Sequence, residues 1–113
     1  MDVEAFLPLS HREFHILLAL AEAPQNGYQV TLLAEGNSRG RVRLSPATQY
    51  TNLHRLVGRG LIAEVTDQVE DRADGRGQRF WTLTETGRGV LRAEAALLAA
   101  DAALVFALGE DGG

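Results

Sequence analysis

The chain has 113 residues, the length of a single domain with a modest hydrophobic core. It contains no cysteine, which excludes both a disulfide framework and a thiolate metal site. No apolar run approaches the roughly 20 residues that a membrane helix needs, and the acidic start MDVEAFLPLS does not resemble a secretory signal. We therefore expect a cytoplasmic protein that has no membrane partner.

The formal net charge of −4 hides a strong polarisation along the chain. Residues 1–38 hold one Arg against five acidic residues, whereas residues 39–59 hold five Arg and no acidic residue. A basic segment between acidic ends can form a local binding surface for a polyanion. All 11 basic residues are Arg, which suits contacts to phosphate and guanine but can equally reflect codon composition.

Two helices are predicted before the basic segment. The first runs from Ser10 to about Glu22, because Ser10 begins a capping box and the apolar residues that follow recur at helical spacing. The second begins after Asn26 and stops at Gly36. The loop that follows is rich in glycine and arginine, and residues 42–44 are a candidate short strand within it.

The segment LSPATQYTNLHRLVGRGLI predicts a third helix over residues 45–59. Ser45 is placed to cap it, Pro46 suits its first position, and Gly60 suits the left-handed residue after its end. One face of the predicted helix is apolar and consists of Leu53, Leu56 and Val57. Another face carries hydrogen-bonding side chains that can reach phosphates and base edges, namely Thr48, Thr51, Asn52 and Arg55.

A β-hairpin and a long helix complete the predicted elements. Residues 61–69 and 79–84 read as two strands, with a bend at Asp74-Gly75. Thr84 caps a last helix that extends to about Ala107. This helix is apolar over more surface than a small domain can cover, so a partner helix is expected, most simply from a second copy. The predicted dimerisation residues are Val90, Leu91, Leu97, Leu98, Leu104, Val105 and Leu108.

The order of these elements indicates a winged helix-turn-helix, mainly α with a small β-hairpin, followed by a long C-terminal dimerisation helix. We divide the chain into a winged helix-turn-helix DNA-binding domain (1–83), a C-terminal dimerisation helix (84–108) and a flexible tail (109–113). In such a fold the third helix enters the major groove of double-stranded DNA, and the hairpin lies along the flanking backbone or minor groove.

The chain resembles the PadR family of bacterial transcriptional regulators. The resemblance covers about residues 9–108 and rests on the stretches LLALAEAPQNGYQV, VRLSPATQYTNLHRLVGRGLI and RFWTLTETGRGVL. It implies a cytoplasmic homodimer of the short subgroup that binds a pseudo-palindromic operator and usually represses transcription. Some family members also bind a small hydrophobic or aromatic effector near the dimer interface. Ala47, Thr51 and Asn52 depart from the common family pattern, so the operator sequence is not predicted.

The candidate DNA-contact residues lie on the third helix and around it. Asn52 could pair with adenine and Arg55 with guanine, although the alternative for this face is a solvated helix surface. The ring of Tyr50 is expected to pack against the core while its hydroxyl reaches a phosphate. The full set is Arg43, Ser45, Thr48, Tyr50, Thr51, Asn52, Arg55, Arg76 and Arg79.

The aromatic residues raise a second, smaller possibility. Trp81 is expected in the core, or stacked on an effector if its ring faces the dimer interface. An effector cavity there would be lined by Phe6, Phe14, Trp81, Leu97 and Phe106. His11 and His15 have a spacing that can hold a metal, but with no third ligand we interpret them as surface histidines, and no metal or cofactor is predicted.

Nothing in the sequence resembles a catalytic constellation, so we do not expect an enzyme. The predicted function is a DNA-binding transcriptional regulator, a homodimeric repressor whose DNA binding a small effector could relieve. The alternative is a winged-helix protein–protein interaction module without sequence-specific DNA binding. The net negative charge and the acidic residues of the hairpin favour that alternative.

Overall fold

The structure, a computed structural model, describes residues 2–65 and 79–109. A 3₁₀ turn at Val3–Phe6 comes first. The elements that follow are α1 (His11–Ala19), β1 (Gln25–Asn26), α2 (Gly27–Asn37), α3 (Pro46–Gly58), β2 (Ile62–Val65), β3 (Phe80–Leu83) and α4 (Glu85–Ala107). This mainly helical architecture with a small antiparallel sheet confirms the predicted fold class. The predicted hairpin bend, Arg76 and the end of the tail lie outside the described residues.

The helices begin where their capping residues predict. The Ser10 hydroxyl accepts a hydrogen bond from the Glu13 N–H at 3.0 Å, and the Glu13 carboxylate accepts one from the Ser10 N–H at 2.9 Å. Ser45 caps α3 by accepting from the Thr48 N–H at 3.2 Å. Gly60 has a φ of 78°, the left-handed conformation expected just after this helix.

Helix α1 ends at Ala19, earlier than the predicted end near Glu22. The next two N–H groups, of Leu20 and Ala21, donate to carbonyls only three residues back, which tightens the chain into a turn. Pro24 disfavours helical backbone at the residue before it. The chain leaves the helix here because residues 25 and 26 must reach the sheet.

The sheet has the strand order β1-β3-β2, and both pairings are antiparallel. Its third strand is Gln25–Asn26, which pairs with Trp81 and Phe80, and not the predicted strand at residues 42–44. The N–H of Val42 donates to the Ser38 hydroxyl at 2.8 Å, so it is not free to join a strand ladder. Val42 and Leu44 are buried because they pack into the core.

The core lies between α1, α2, α3, the sheet and the first part of α4. Leu53 and Leu56 of α3 are fully buried, as predicted, but Val57 is 37% exposed and does not belong to the buried stripe. Trp81 is buried in this core, which confirms the structural interpretation of the single tryptophan.

Helix α4 has a buried part and an exposed part. Val90 and Leu91 are buried in the protomer's own core, so they are not available to a second chain, and we withdraw them from the predicted dimer interface. Glu94, which sequence reasoning did not single out, is also buried, and its carboxylate accepts the Leu9 N–H at 3.1 Å. The boundary predicted at residue 84, between a DNA-binding domain and a dimerisation helix, therefore falls within a single hydrophobic core.

Beyond Glu94, α4 leaves the body of the protein, and every described residue from 95 to 109 is exposed. The protein is accordingly elongated, with extents of 61 × 33 × 22 Å. Over residues 2–65 and 79–109, no helix combines the length and apolar character that crossing a membrane requires.

His15 is buried and is not the surface histidine that we expected. Its ring lies edge-on to His11 with 4.7 Å between ring centroids, and its Nδ1 has no hydrogen-bond partner among the described residues. Burial, and secondarily the neighbouring His11, lower the pKa of His15. The folded protein therefore favours the neutral form of this imidazole.

This lowered pKa predicts an acid-dependent loss of stability. As the pH falls below about 6.5, the unfolded chain takes up a proton at His15 before the folded protein does, so the free energy of unfolding decreases until the folded pKa is passed. We expect His15→Gln to flatten this decrease in urea unfolding measured at a series of pH values. His54→Gln, at an exposed histidine, is the control and should leave the decrease unchanged. Equal pH dependence in wild type and His15→Gln would contradict the prediction.

Candidate nucleic-acid interface

Helix α3 is held in place from behind by α2. The side-chain amide of Gln49 donates hydrogen bonds to the Gly27 carbonyl and to the Thr31 hydroxyl, both on α2. Sequence reasoning missed Gln49, because its partners are 18 and 22 residues away along the chain. These bonds, together with the buried leucines, fix the direction in which α3 presents its outer face.

The outer face of α3 lies opposite Leu53 and Leu56. Four exposed residues form this face: Ala47, Thr51, His54 and Gly58. They follow one another at intervals of four, three and four positions, which places them on one side of a helix. Two of them have no side chain beyond a methyl group, so Thr51 and His54 project furthest. His54 stacks on the Tyr50 ring, with 6.2 Å between centroids and 14° between the planes. His54 is therefore an exposed residue of this face.

On the flank of α3 that faces α1, an open groove has a volume of about 280 Å³. Helix α1 contributes Arg12, which sequence analysis did not consider. Helix α3 contributes four predicted DNA-contact residues and one neighbour, namely Thr48, Thr51, Asn52, Arg55 and Ala47. The groove thus joins two guanidinium groups and two hydroxyls from helices that are distant in the chain.

Asn52 is not placed as predicted. The residue is only 7% exposed, and its side-chain N–H donates to the Thr48 carbonyl at 2.8 Å. Position 52 lies between the outer face of α3 and its buried leucines, so the amide is directed along the helix. In this conformation Asn52 does not present a free amide edge to adenine.

On the other flank of α3, Tyr50 and Arg79 form a cluster with Glu64. The Arg79 guanidinium donates to the two Glu64 oxygens at 2.7 and 3.0 Å and to the Tyr50 hydroxyl at 3.3 Å. It also lies over the rings of Tyr50 and Trp81. The Arg79 hydrogen bonds lower the pKa of Glu64, and the Glu64 carboxylate raises the pKa of Arg79.

Two predictions change because of this cluster. Tyr50 does not pack its ring into the core: it is 49% exposed and stacks between His54 and Arg79. Arg79 is paired with Glu64 in this structure, so its positive charge is compensated within the protomer. This flank is close to neutral over the described residues.

Arg43 and Ser45 lie at the start of α3. The Arg43 side chain is largely exposed, and its Nε lies 4.0 Å from a Glu35 oxygen, the outer limit of an ion pair. Ser45 has its hydroxyl engaged in the helix cap and in a hydrogen bond to the Thr48 hydroxyl at 3.0 Å. Arg43 therefore keeps its charge available, whereas the role of Ser45 is mainly structural.

A second surface is the exposed apolar stripe of α4. It contains the five predicted dimerisation residues that the core does not bury: Leu97, Leu98, Leu104, Val105 and Leu108. They continue the face that carries Val90 and Leu91, so the helix changes from core packing to solvent exposure without changing its apolar side. The stripe is at the far end of α4 from its contacts with the body.

The five candidate effector residues are not brought together within the protomer. Trp81 is buried beside Arg79, while Phe6 and Phe14 pack against the core. Phe106 is 80% exposed on α4, about 13 Å along the helix axis from Leu97. The structure therefore does not support one cavity lined by all five side chains.

Comparisons with known proteins agree with this architecture. A family model for PadR-like transcriptional regulators matches residues 16–93, which is more than half of the chain. No functionally curated protein matches the sequence significantly. The family consists of transcriptional regulators and not of enzymes.

Several solved structures share the fold. A PadR family regulator from Clostridium difficile is 19% identical, with 88% of this chain and 100% of that chain covered and a TM-score of 0.69. One from Eggerthella lenta is 21% identical, with 94% and 83% covered and a TM-score of 0.64. Bacillus subtilis PadR, solved in complex with operator DNA, is 20% identical, with 76% and 47% covered and a TM-score of 0.64. At these identities the likeness concerns the winged-helix fold.

Proposed function

We propose that this chain, which belongs to the PadR-like family of transcriptional regulators, binds double-stranded DNA as a homodimer and represses transcription from a pseudo-palindromic operator. The observation that carries the proposal is the outer surface of α3. It is exposed, it has no acidic side chain, and it is flanked by the unpaired arginines Arg12 and Arg55 within the described residues. The solved complex of Bacillus subtilis PadR with operator DNA supports the same use of this fold.

In this proposal α3 lies in the major groove, which is wide enough for an α-helix. Ala47 and Gly58 keep the outer face low, so the helix can approach the base edges closely. Thr51 and His54 then become the residues best placed to contact bases. Thr48 and Arg55, further round the helix, and Arg43, just before its start, are proposed to contact the DNA as well.

The homodimer is proposed to form through the apolar stripe of α4. Residues 2–94 then act as the DNA-binding body, and residues 97–108 pair the two copies. The boundary between these two parts, predicted at residue 84, is therefore placed between residues 94 and 97. Leaving this stripe in water is unfavourable, and a second copy covers it with an identical surface. A symmetric pair would place its two α3 helices about 34 Å apart, or a multiple of that distance, to meet successive major grooves.

Two further parts of the proposal rest on the family resemblance. We propose that the protein acts in the cytoplasm, where its DNA target lies. A small hydrophobic or aromatic effector is proposed to bind beside the paired α4 helices, where Leu97 is exposed. A rise in the melting temperature of the dimer, together with release of DNA, would identify such a compound in a screen of aromatic ligands.

Selection of bound fragments from random duplex DNA tests the proposal directly. We expect the protein to enrich an inverted repeat and to lose affinity steeply as the salt concentration rises. Thr51→Ala should relax the base preference at one position of each half-site, whereas Thr86→Ala, on α4 and away from α3, should leave the preferences unchanged. No salt-sensitive retention of DNA at low ionic strength would contradict the proposal. It would favour the alternative, a protein–protein interaction module.

A further inference from the structure

We infer that the groove between α1 and α3 is a binding site for a phosphate of the DNA backbone, held by Arg12 and Arg55. The inference rests on the proposed DNA binding and adds α1 as a second DNA-contacting helix. It also assigns Arg55 to the backbone instead of to guanine.

The chemistry of the groove fits a phosphodiester. Arg12 lines it from α1 and Arg55 from α3, and Thr48 and Thr51 line it as well. A guanidinium group offers paired N–H donors that match two phosphate oxygens, and hydroxyls can donate to the same anion. The groove is open to solvent and shallow, which suits a group on the outside of a double helix and not an enclosed small molecule.

The charges around the groove leave both arginines free. Within residues 2–65 and 79–109, neither Arg12 nor Arg55 forms an ion pair, whereas Arg59 and Arg79 do. The carboxylate next to Arg12 in sequence, Glu13, is already engaged: it binds Arg59 at 3.0 Å and caps α1. Two uncompensated positive charges on one groove attract an anion.

The position of Arg12 in α1 supports a role outside helix stability. It is the second residue of the helix, in the first turn, where the helix dipole favours negative and not positive side chains. It makes no hydrogen bond or ion pair within the described part of the chain. Neither packing nor electrostatics within the protomer therefore accounts for a cation at this site.

The direction of Arg55 separates it from the residues that face the bases. At 100° per residue, His54 and Arg55 lie about 50° to either side of the direction opposite Leu53 and Leu56, and Arg55 is on the α1 side, beside Thr48. With α3 in the major groove, its flanks face the two sugar–phosphate backbones. Arg55 and Arg12 therefore meet the same backbone.

The salt dependence of DNA binding tests this inference. Binding of the full chain to a labelled random-sequence duplex is measured by fluorescence anisotropy at a series of salt concentrations. Removing one arginine from a phosphate should reduce the slope of log K against log salt by about 0.9, so the dimer should show a reduction of about 1.8 for Arg12→Ala and the same for Arg55→Ala. Arg12→Lys keeps the charge and should keep most of the slope. The matched control is Arg92→Ala, which removes an exposed, unpaired arginine from the outer side of α4.

The outcomes distinguish the inference from the proposed function. DNA binding with an unchanged slope in Arg12→Ala would overturn the site while leaving DNA binding intact. A loss for Arg55→Ala that is confined to one base position of a selected operator would instead make Arg55 a base-reading residue and overturn its assignment. Absence of salt-sensitive binding in the wild type would overturn both. Thermal unfolding monitored by circular dichroism should be unchanged for every variant, because these arginines are exposed.

Discussion

The substitution Leu104→Glu is expected to convert the proposed dimer into monomers and to lower the affinity for an operator by a factor of about 100 or more. Leu104 is 68% exposed in the protomer and lies within the apolar stripe of α4. Two-fold symmetry would place two new carboxylates in one interface, and each unpaired buried charge costs several kcal/mol. The affinity falls because two linked protomers bind two half-sites together, whereas a monomer binds only one.

Sedimentation velocity measures the association state, and anisotropy with a selected operator measures the affinity. The control is Ala103→Glu, which adds the same charge at the neighbouring exposed residue but on the opposite side of α4 from the stripe. Ala103→Glu should remain dimeric and bind DNA nearly as well as the wild type. A dimeric Leu104→Glu would show that the copies associate through another surface, and it would contradict the proposed interface.

Gly87→Ala is expected to lower the free energy of unfolding by about 3 kcal/mol, at the upper end of the usual cost of overpacking. A Cβ atom at this position would lie 2.0 Å from the Leu61 carbonyl oxygen and 2.9 Å from Leu83 Cδ1. The carbonyl cannot easily move, because it accepts the Thr84 N–H at 3.1 Å and the Thr84 hydroxyl at 3.0 Å. Helix α4 would have to shift away from the sheet, and its packing against the core would loosen.

Urea unfolding measures this effect, and Gly89→Ala is its matched control. Gly89 is on the same helix, and a Cβ there would meet only Val3 Cγ1 at 3.4 Å, an ordinary contact. Alanine is preferred over glycine inside a helix by about 0.5 to 1 kcal/mol, so Gly89→Ala should be neutral or stabilising. Similar destabilisation by the two substitutions would show that the close approach at Gly87 is not what limits stability.

The candidate interface was only partly predictable from sequence. The ends of α3, its cap at Ser45 and its buried leucines follow from local signals, since capping and apolar periodicity act within a few residues. Periodicity also placed Thr51 and Arg55 off the buried side. It could not show that Asn52 turns inward or that Glu64 neutralises Arg79. Those outcomes depend on contacts between side chains and on strands that pair across the sheet.

Arg12 was missed for a related reason. It has no distinguishing sequence pattern, and only the packing of α1 against the rest of the core brings it to α3. Its one local signal is a positive charge in the first turn of a helix. A charge of this sign is unfavourable there, but it is too common to identify a binding residue. The sequence likewise contains no pattern that predicts the hydrogen bonds from Gln49 to α2.

By itself, the sequence determined the class of fold, the order of the helices and the start of each long helix. Caps, glycines and apolar spacing are local properties, so neighbouring residues alone decide them. The tertiary structure decided which part of α4 belongs to the core, that Gln25–Asn26 and not residues 42–44 joins the sheet, and which arginines remain unpaired. These features depend on contacts between residues that are tens of positions apart in the chain. Packing and charge compensation set the free energy of such contacts, and neither can be read from a single segment.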